Sequence, residues 1–279
     1  MKTPKAWHRD GDLDAGRAAE ELAGAVEKIE CLSRRRFLAR GAAAVGGMVF
    51  GSVTGLLGSS RSARADEPVE TGKFVFPRLQ FAVFDESPDR WNVMPIGDVN
   101  LKKKLKELTN INVSPDPKVV KLGQFDDLVK HPFVFMTSEG LFELAPQEEK
   151  NLREFLERGG FIFADDCVLY GKGDRFFKCY RQIIDKLYPD NPMRHIPQDH
   201  EVYHIYFDFD DFSPHMQGVR EHDGAKGAWA LFEPGTGRIM TYLDPGDLHC
   251  GWCCRYWGMD KNLSAIKMGI NIIIYFLSH

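Results

Sequence analysis

Three short apolar runs recur along the chain, Leu79 to Phe84 (LQFAVF), Pro132 to Thr137 (PFVFMT) and Phe161 to Asp166 (FIFADD), each closed by acidic, polar or glycine residues. Runs of this length without polar alternation read as strands buried on both faces. The stretches between them repeat with a helical period instead. Val99, Leu101, Leu105 and Leu108 form one stripe within Asp98 to Leu108, and Leu152, Phe155 and Leu156 form another within Pro146 to Arg158. Pro146 suits the first turn of that second helix, Glu148 and Glu149 suit its positive end, and Gly159-Gly160 ends it. Asp174 to Leu187 repeats Phe177, Tyr180, Ile184 and Leu187 and predicts a third helix. The segments AWALFE and RIMTYL flank Pro234-Gly235-Thr236-Gly237 and predict a hairpin. Leu263 to Leu277 is apolar on most faces and predicts a buried helix too short to span a bilayer.

Buried strands separated by helices pair in parallel with helices on both faces. The expected fold is therefore an α/β, three-layer domain with a mainly parallel sheet over residues 79–279, preceded by a linker at 66–78. In such sheets ligands meet the carboxyl ends of the strands. Those ends carry Asp85-Glu86, Ser138-Glu139, Asp165-Asp166-Cys167 and Asp244 to His249. The expected binding cleft is acidic and lined by Asp85, Glu86, Trp91, Ser138, Glu139, Asp165, Asp166, Asp247 and Trp252.

Residues 1–65 read as a leader rather than as part of that domain. Ser33-Arg34-Arg35-Arg36-Phe37-Leu38 carries paired arginines, Gly41 to Leu57 is apolar with five glycines, and Ala63-Arg64-Ala65 is a small-x-small exit. This resembles a bacterial twin-arginine signal, which implies the twin-arginine translocon as a partner and a periplasmic or extracellular location. An uncleaved inner-membrane anchor is the alternative. The leader takes 11 of the 36 basic and 7 of the 40 acidic residues, leaving 25 against 33 and a net charge of −8. That charge disfavours nucleic acid and anionic membrane surfaces as partners. Five of the six cysteines, 167, 179, 250, 253 and 254, fall after the leader, where export would permit disulfides.

Five stretches carry a wider resemblance: WNVMPIGDVNLKKKLKELTNI, FVFMTSEGLFELAPQEEKNLREFLERGGFIFADDC, PQDHEVYHIYFDF, DLHCGW and AIKMGINIIIYFLSH. Together they resemble a bacterial domain family of unknown function whose fold is like that of class I glutamine amidotransferases, and hence flavodoxin-like. Relatives look like the tail domain of membrane proteins encoded beside von Willebrand-type and chaperone-like ATPase proteins. The resemblance thus implies an assembly in the cell envelope, of which this chain would be a free-standing, exported member; the cofactor is left open, and a folded-protein exporter is consistent either with one loaded before export or with travel beside a partner.

The stretch Asp247 to Cys254 (DLHCGWCC), expected as a loop at a strand's carboxyl end, concentrates the candidate chemistry, and four readings are open. By analogy with class I amidotransferases, Cys167 after FIFADD is a candidate nucleophile and His249 its base. Against this, the elbow positions two before and two after Cys167 hold Asp165 and Leu169, and the position for an orienting acid holds Gly251. His249, Cys250, Cys253 and Cys254 are candidate metal ligands, with Cys250 and Cys253 at zinc-ribbon spacing but no second such pair. Cys250-Gly251-Trp252-Cys253 has the form of a thiol redox motif, here far from the early strand such motifs follow. The favoured reading is a structural disulfide between Cys167 and Cys250, both at strand exits that the fold would bring together. The function expected is an exported, non-catalytic binding or assembly domain. A cysteine-dependent hydrolase or transferase, or a thiolate metal-binding protein, is the alternative.

Overall fold

Strands buried on both faces must send alternate side chains into two different cores, and the sheet of this protein does so. The computed structural model describes residues 72–82, 90–168 and 174–279; the leader and the cleft residues Asp85 and Glu86 lie outside them. In chain order, β1 (Pro77–Gln80) leads to α1 (Ile96–Leu108), β2 (Lys118–Lys121), the single turn α2 (Phe125–Leu128), β3 (Phe133–Ser138), α3 (Pro146–Glu157), β4 (Phe161–Asp166) and α4 (Arg175–Leu187). The second half holds the short strands β5 (Arg194–His195), β6 (Glu221–His222) and β7 (Ala225–Lys226), then β8 (Trp229–Phe232), β9 (Ile239–Asp244), α5 (Leu248–Trp252) and α6 (Met259–Ser278).

Seven strands form one sheet in the order β2-β1-β3-β4-β9-β8-β5. β2, β1, β3, β4 and β9 run parallel, while β8 and β5 continue the edge antiparallel. The protein is thus a mixed α/β fold with a mostly parallel sheet flanked by helices. On one face Phe133, Phe135, Phe161 and Phe163 pack with Trp252 and the inner side of α6; on the other Val134, Met136, Ile162 and Ala164 pack with Leu152 and Phe155 of α3 and Phe176, Phe177 and Tyr180 of α4. The period of two therefore explains why β3 and β4 are apolar without interruption.

The other expected elements match to within a few residues. β1 is displaced: it begins at Pro77 and stops at Gln80, and packing reaches back to Phe74, which bridges Val113. The hairpin between β8 and β9 turns on Gly235 and Gly237, both at positive φ. β2 was not foreseen, because KVVK offers only one fully buried side chain, Val120, and owes its strand character to pairing with β1. The segment DLHCGW was expected to be a loop, and the structure corrects this to the helical turn α5. Asp247 caps that turn, accepting a hydrogen bond from the Cys250 backbone N–H at 3.3 Å. Among the described residues no helix is long and apolar enough to cross a membrane; α6 is spent on the core.

Candidate functional site

β4 ends in two adjacent aspartates, and strand alternation sends them to opposite faces of the sheet. The Asp165 carboxylate accepts the backbone N–H groups of Leu248 and His249, both at 3.0 Å. It thus meets the first residues of α5, whose opening amides have no partner within the turn. Asp166 points the other way and accepts from the backbone of Asp174 and Phe177 at the start of α4. Its Oδ2 has no partner among the described residues. Burial pushes the Asp166 carboxyl up to about 8 and Asp244 up to about 6. Asp165, beside Asp247 and Asp244, is raised well above the carboxylate range, first by burial and then by those two charges.

Asp247 adopts the left-handed region at φ 58°, unusual for a residue with a side chain. Its Oδ2 accepts from the Val168 backbone at 3.0 Å and from Gln217 Nε2 at 2.6 Å. Cys167 and Cys250 then face one another with their sulfurs 3.9 Å apart. The structure therefore brings together the two cysteines expected to pair, as thiols in contact rather than at the ~2.05 Å of a disulfide. The Cys250 contact and burial together push the Cys167 thiol well above its ordinary value. At Cys250 the Cys167 contact lowers the value, but burial and Asp247 outweigh it and the net shift is upward. Neither thiol is poised as a thiolate.

His249 is occupied elsewhere. Its ring lies against Phe135 and Trp252, with Nε2 2.9 Å from an Arg78 guanidinium nitrogen and 3.4 Å from Asp98. Arg78 is buried and grips Asp98 through two hydrogen bonds, of 2.8 and 2.6 Å. It also donates to the backbone oxygens of Trp91 and Val93. Burial pushes the imidazole down from its ordinary range, against the hydrogen bond to Asp98 that pulls it up. At Asp98 burial works upward, but the His249 hydrogen bond and the Arg78 charge outweigh it and hold the carboxyl low. Arg78 and Asp98 escaped the sequence reading because Arg78 was assigned to the linker and Asp98 to a helix start. The visible signal was one arginine inside an otherwise apolar stretch, FVFPRL.

The remaining expected cleft residues sit as follows. Ser138 is fully buried and caps its own turn by accepting the Gly140 N–H; Glu139 follows it, partly exposed. Trp91 is buried in the α3–α4 side core, and Trp252 lies in the opposite core with its indole N–H donated to Ala265 O at 3.0 Å. Cys253 rests against the carbonyl oxygen of His249, its thiol pushed to about 12 by burial. Cys254 is exposed, and Cys179 is half-buried on α4. The proposed ligand set of His249, Cys250, Cys253 and Cys254 is therefore not gathered on one point; the group that is gathered is Cys167, Asp247 and Cys250, with ligand atoms all within 4.8 Å.

Gly251 shows why this turn tolerates no side chain. A Cβ there would lie 2.5 Å from Ala265 Cβ and 2.8 Å from Met216 Sδ. Gly251→Ala is expected to destabilise the protein by about 1–3 kcal/mol through overpacking, measured as a fall in the urea midpoint. An unchanged midpoint would show that α6 can yield at this contact.

Residues 76–277 match the family model described as "Domain of unknown function (DUF4159)". No curated protein matches the chain.

Proposed function

The chain belongs to the domain-of-unknown-function family DUF4159, and from that premise we propose that it is a non-catalytic binding or assembly domain. One observation carries the reading. Each group that could have run cysteine chemistry is already engaged inside the fold: Asp165 on two amides of α5, His249 on Arg78, and Cys167 on Cys250. A nucleophile needs a base within hydrogen-bond reach, and the partner that Cys167 has is a second protonated thiol. α5 thereby fills the carboxyl edge of β4 and β9, where an acidic cleft was expected, and the surface left for partners lies beside it. Ile96 and Val99 of α1, with Tyr256 and Met259 after α5, are exposed large apolar side chains. Asn100 of α1 donates to the carbonyl oxygen of Trp252 and so sets these two segments side by side.

The order β2-β1-β3-β4-β9 follows the 2-1-3-4-5 pattern of flavodoxin-like doubly wound sheets, which supports the amidotransferase-like ancestry. The paired arginines and A-R-A exit of the leader add the place of work: export by the twin-arginine translocon to the periplasm or beyond, into an envelope assembly.

The test is alkylation of the native, exported protein with iodoacetamide near neutral pH, followed by peptide mass spectrometry. Exposed Cys254 serves as the internal standard. Cys167 is expected to stay unmodified while Cys254 reacts, and the first residue of the mature chain is expected to be Asp66. Cys167 alkylating as fast as Cys254 would overturn the non-catalytic reading, and a full-length chain in the membrane fraction would overturn the exported, soluble one.

A further inference from the structure

We propose that Cys167, Asp247 and Cys250 form a binding site for one thiophilic divalent cation of the zinc type, cross-linking the exit of β4 to α5. The proposal is independent of the non-catalytic reading, since it assigns the ion a structural place. Its first support is distance. Two thiolates bound at ~2.3 Å to a tetrahedral zinc lie ~3.8 Å apart, and Cys167 Sγ and Cys250 Sγ are 3.9 Å apart. The third ligand is the carboxylate of Asp247, the cap of the turn that carries Cys250, and all three ligand atoms lie within 4.8 Å of one another.

The surroundings of Asp247 add a second, separate support. A ligating carboxylate is held by hydrogen bonds from outside the metal's own shell. Here Oδ2 takes the shorter bonds, from Gln217 at 2.6 Å and Val168 at 3.0 Å, while Oδ1 keeps only a longer one, 3.3 Å, from the Cys250 backbone. The carboxylate is thus fixed in place with its Oδ1 lone pairs the less engaged. Asp247 is fully buried beside the two thiols, and a divalent ion would offset the charge of the carboxylate and of the two thiolates at the point where they meet.

On binding, the two S–H bonds of Cys167 and Cys250 break, two metal–sulfur bonds and one metal–oxygen bond form, and two protons leave to solvent. No electron moves. His249 is not in the set, because Nε2 is engaged by Arg78. Cys254 is not in it either, because it is exposed.

The experiment uses the full-length mature protein, reduced and desalted without oxygen, then titrated with zinc and with cobalt(II). The expected results are roughly one equivalent of zinc per chain and a cobalt–thiolate charge-transfer band, as tetrahedral sulfur sites give. Both are expected to vanish in Cys167→Ser and in Cys250→Ser and to persist in Cys254→Ser and Cys179→Ser. Gln217→Ala, at a half-buried position, is expected to fold and to weaken zinc about 10–100-fold, the usual effect of removing a supporting hydrogen bond. Absence of both zinc binding and the cobalt band in the reduced wild-type protein would overturn the proposal. So would zinc retained undiminished in Cys167→Ser. Should the cysteine variants fail to fold, the wild-type band and the Gln217→Ala affinity still decide the matter.

Discussion

Arg78→Met is expected to lower the thermal midpoint by on the order of 10 °C. Breaking a buried ion pair by removing one partner costs about 3–5 kcal/mol, and about 2–4 °C is lost per kcal/mol in a domain of this size. Both side chains are well shielded, at 3% exposure for Arg78 and 14% for Asp98, so little of that cost is relieved by solvent. The methionine preserves much of the volume of the arginine stem, and the loss therefore reports charge and hydrogen bonding rather than a cavity. Asp98 would be left buried without its cation, the Trp91 and Val93 carbonyls would lose their donor, and His249 Nε2 would lose the guanidinium beside it. The double variant Arg78→Met with Asp98→Leu removes both charges and is expected to recover more than half of the lost midpoint. Calorimetry of the wild type and the two variants checks this. A shift in the single variant no larger than that of a surface substitution would show that the triad contributes nothing to stability.

Asp166→Asn is expected to act in the opposite sense, and increasingly so as pH rises from ~4 to ~8. Burial raises the folded carboxyl to about 8, against about 3.9 for an unfolded aspartate. Between those values the folded chain keeps a proton that the unfolded chain releases. Stability contributed by this group is therefore complete below pH ~4 and lost as pH rises through ~8. Asparagine does not titrate and suffers no such loss. Between pH 5 and 9 the variant should gain on the wild type by on the order of 4 kcal/mol, taking three pH units at about 1.4 kcal/mol each. Urea unfolding at the two pH values measures the gain. Parallel pH dependences in the two proteins would mean that Asp166 is ionised in the folded state after all. Asp244, raised to about 6, slopes both proteins alike and cancels in the comparison.

The layered architecture was legible because its signals are local. FIFADD matches β4 residue for residue, and Pro146 with Glu148 marks the start of α3, where the Glu148 side chain accepts the Ala145 N–H at 3.0 Å. The meeting of Cys167 with Cys250 followed from topology alone, since parallel β4 and β9 bring their exits together. What escaped was everything set by partners far apart in sequence. Asp165 and Asp247 look like ligands for a cleft until the amides they hold are seen, and α5 looks like a loop until its caps are in place. Arg78 looked like linker because nothing near it in sequence reveals that its counter-ion stands twenty residues on, at the head of α1.

α5 has five residues, far fewer than the roughly 12–15 that an isolated helix requires to hold itself in water. Its first amides are held by Asp165, 83 and 84 residues earlier in the chain. Apart from its local cap, Asp247, the turn is held by the end of β4, so that its persistence, and with it the meeting of the two thiols, depends on β9 staying paired with β4.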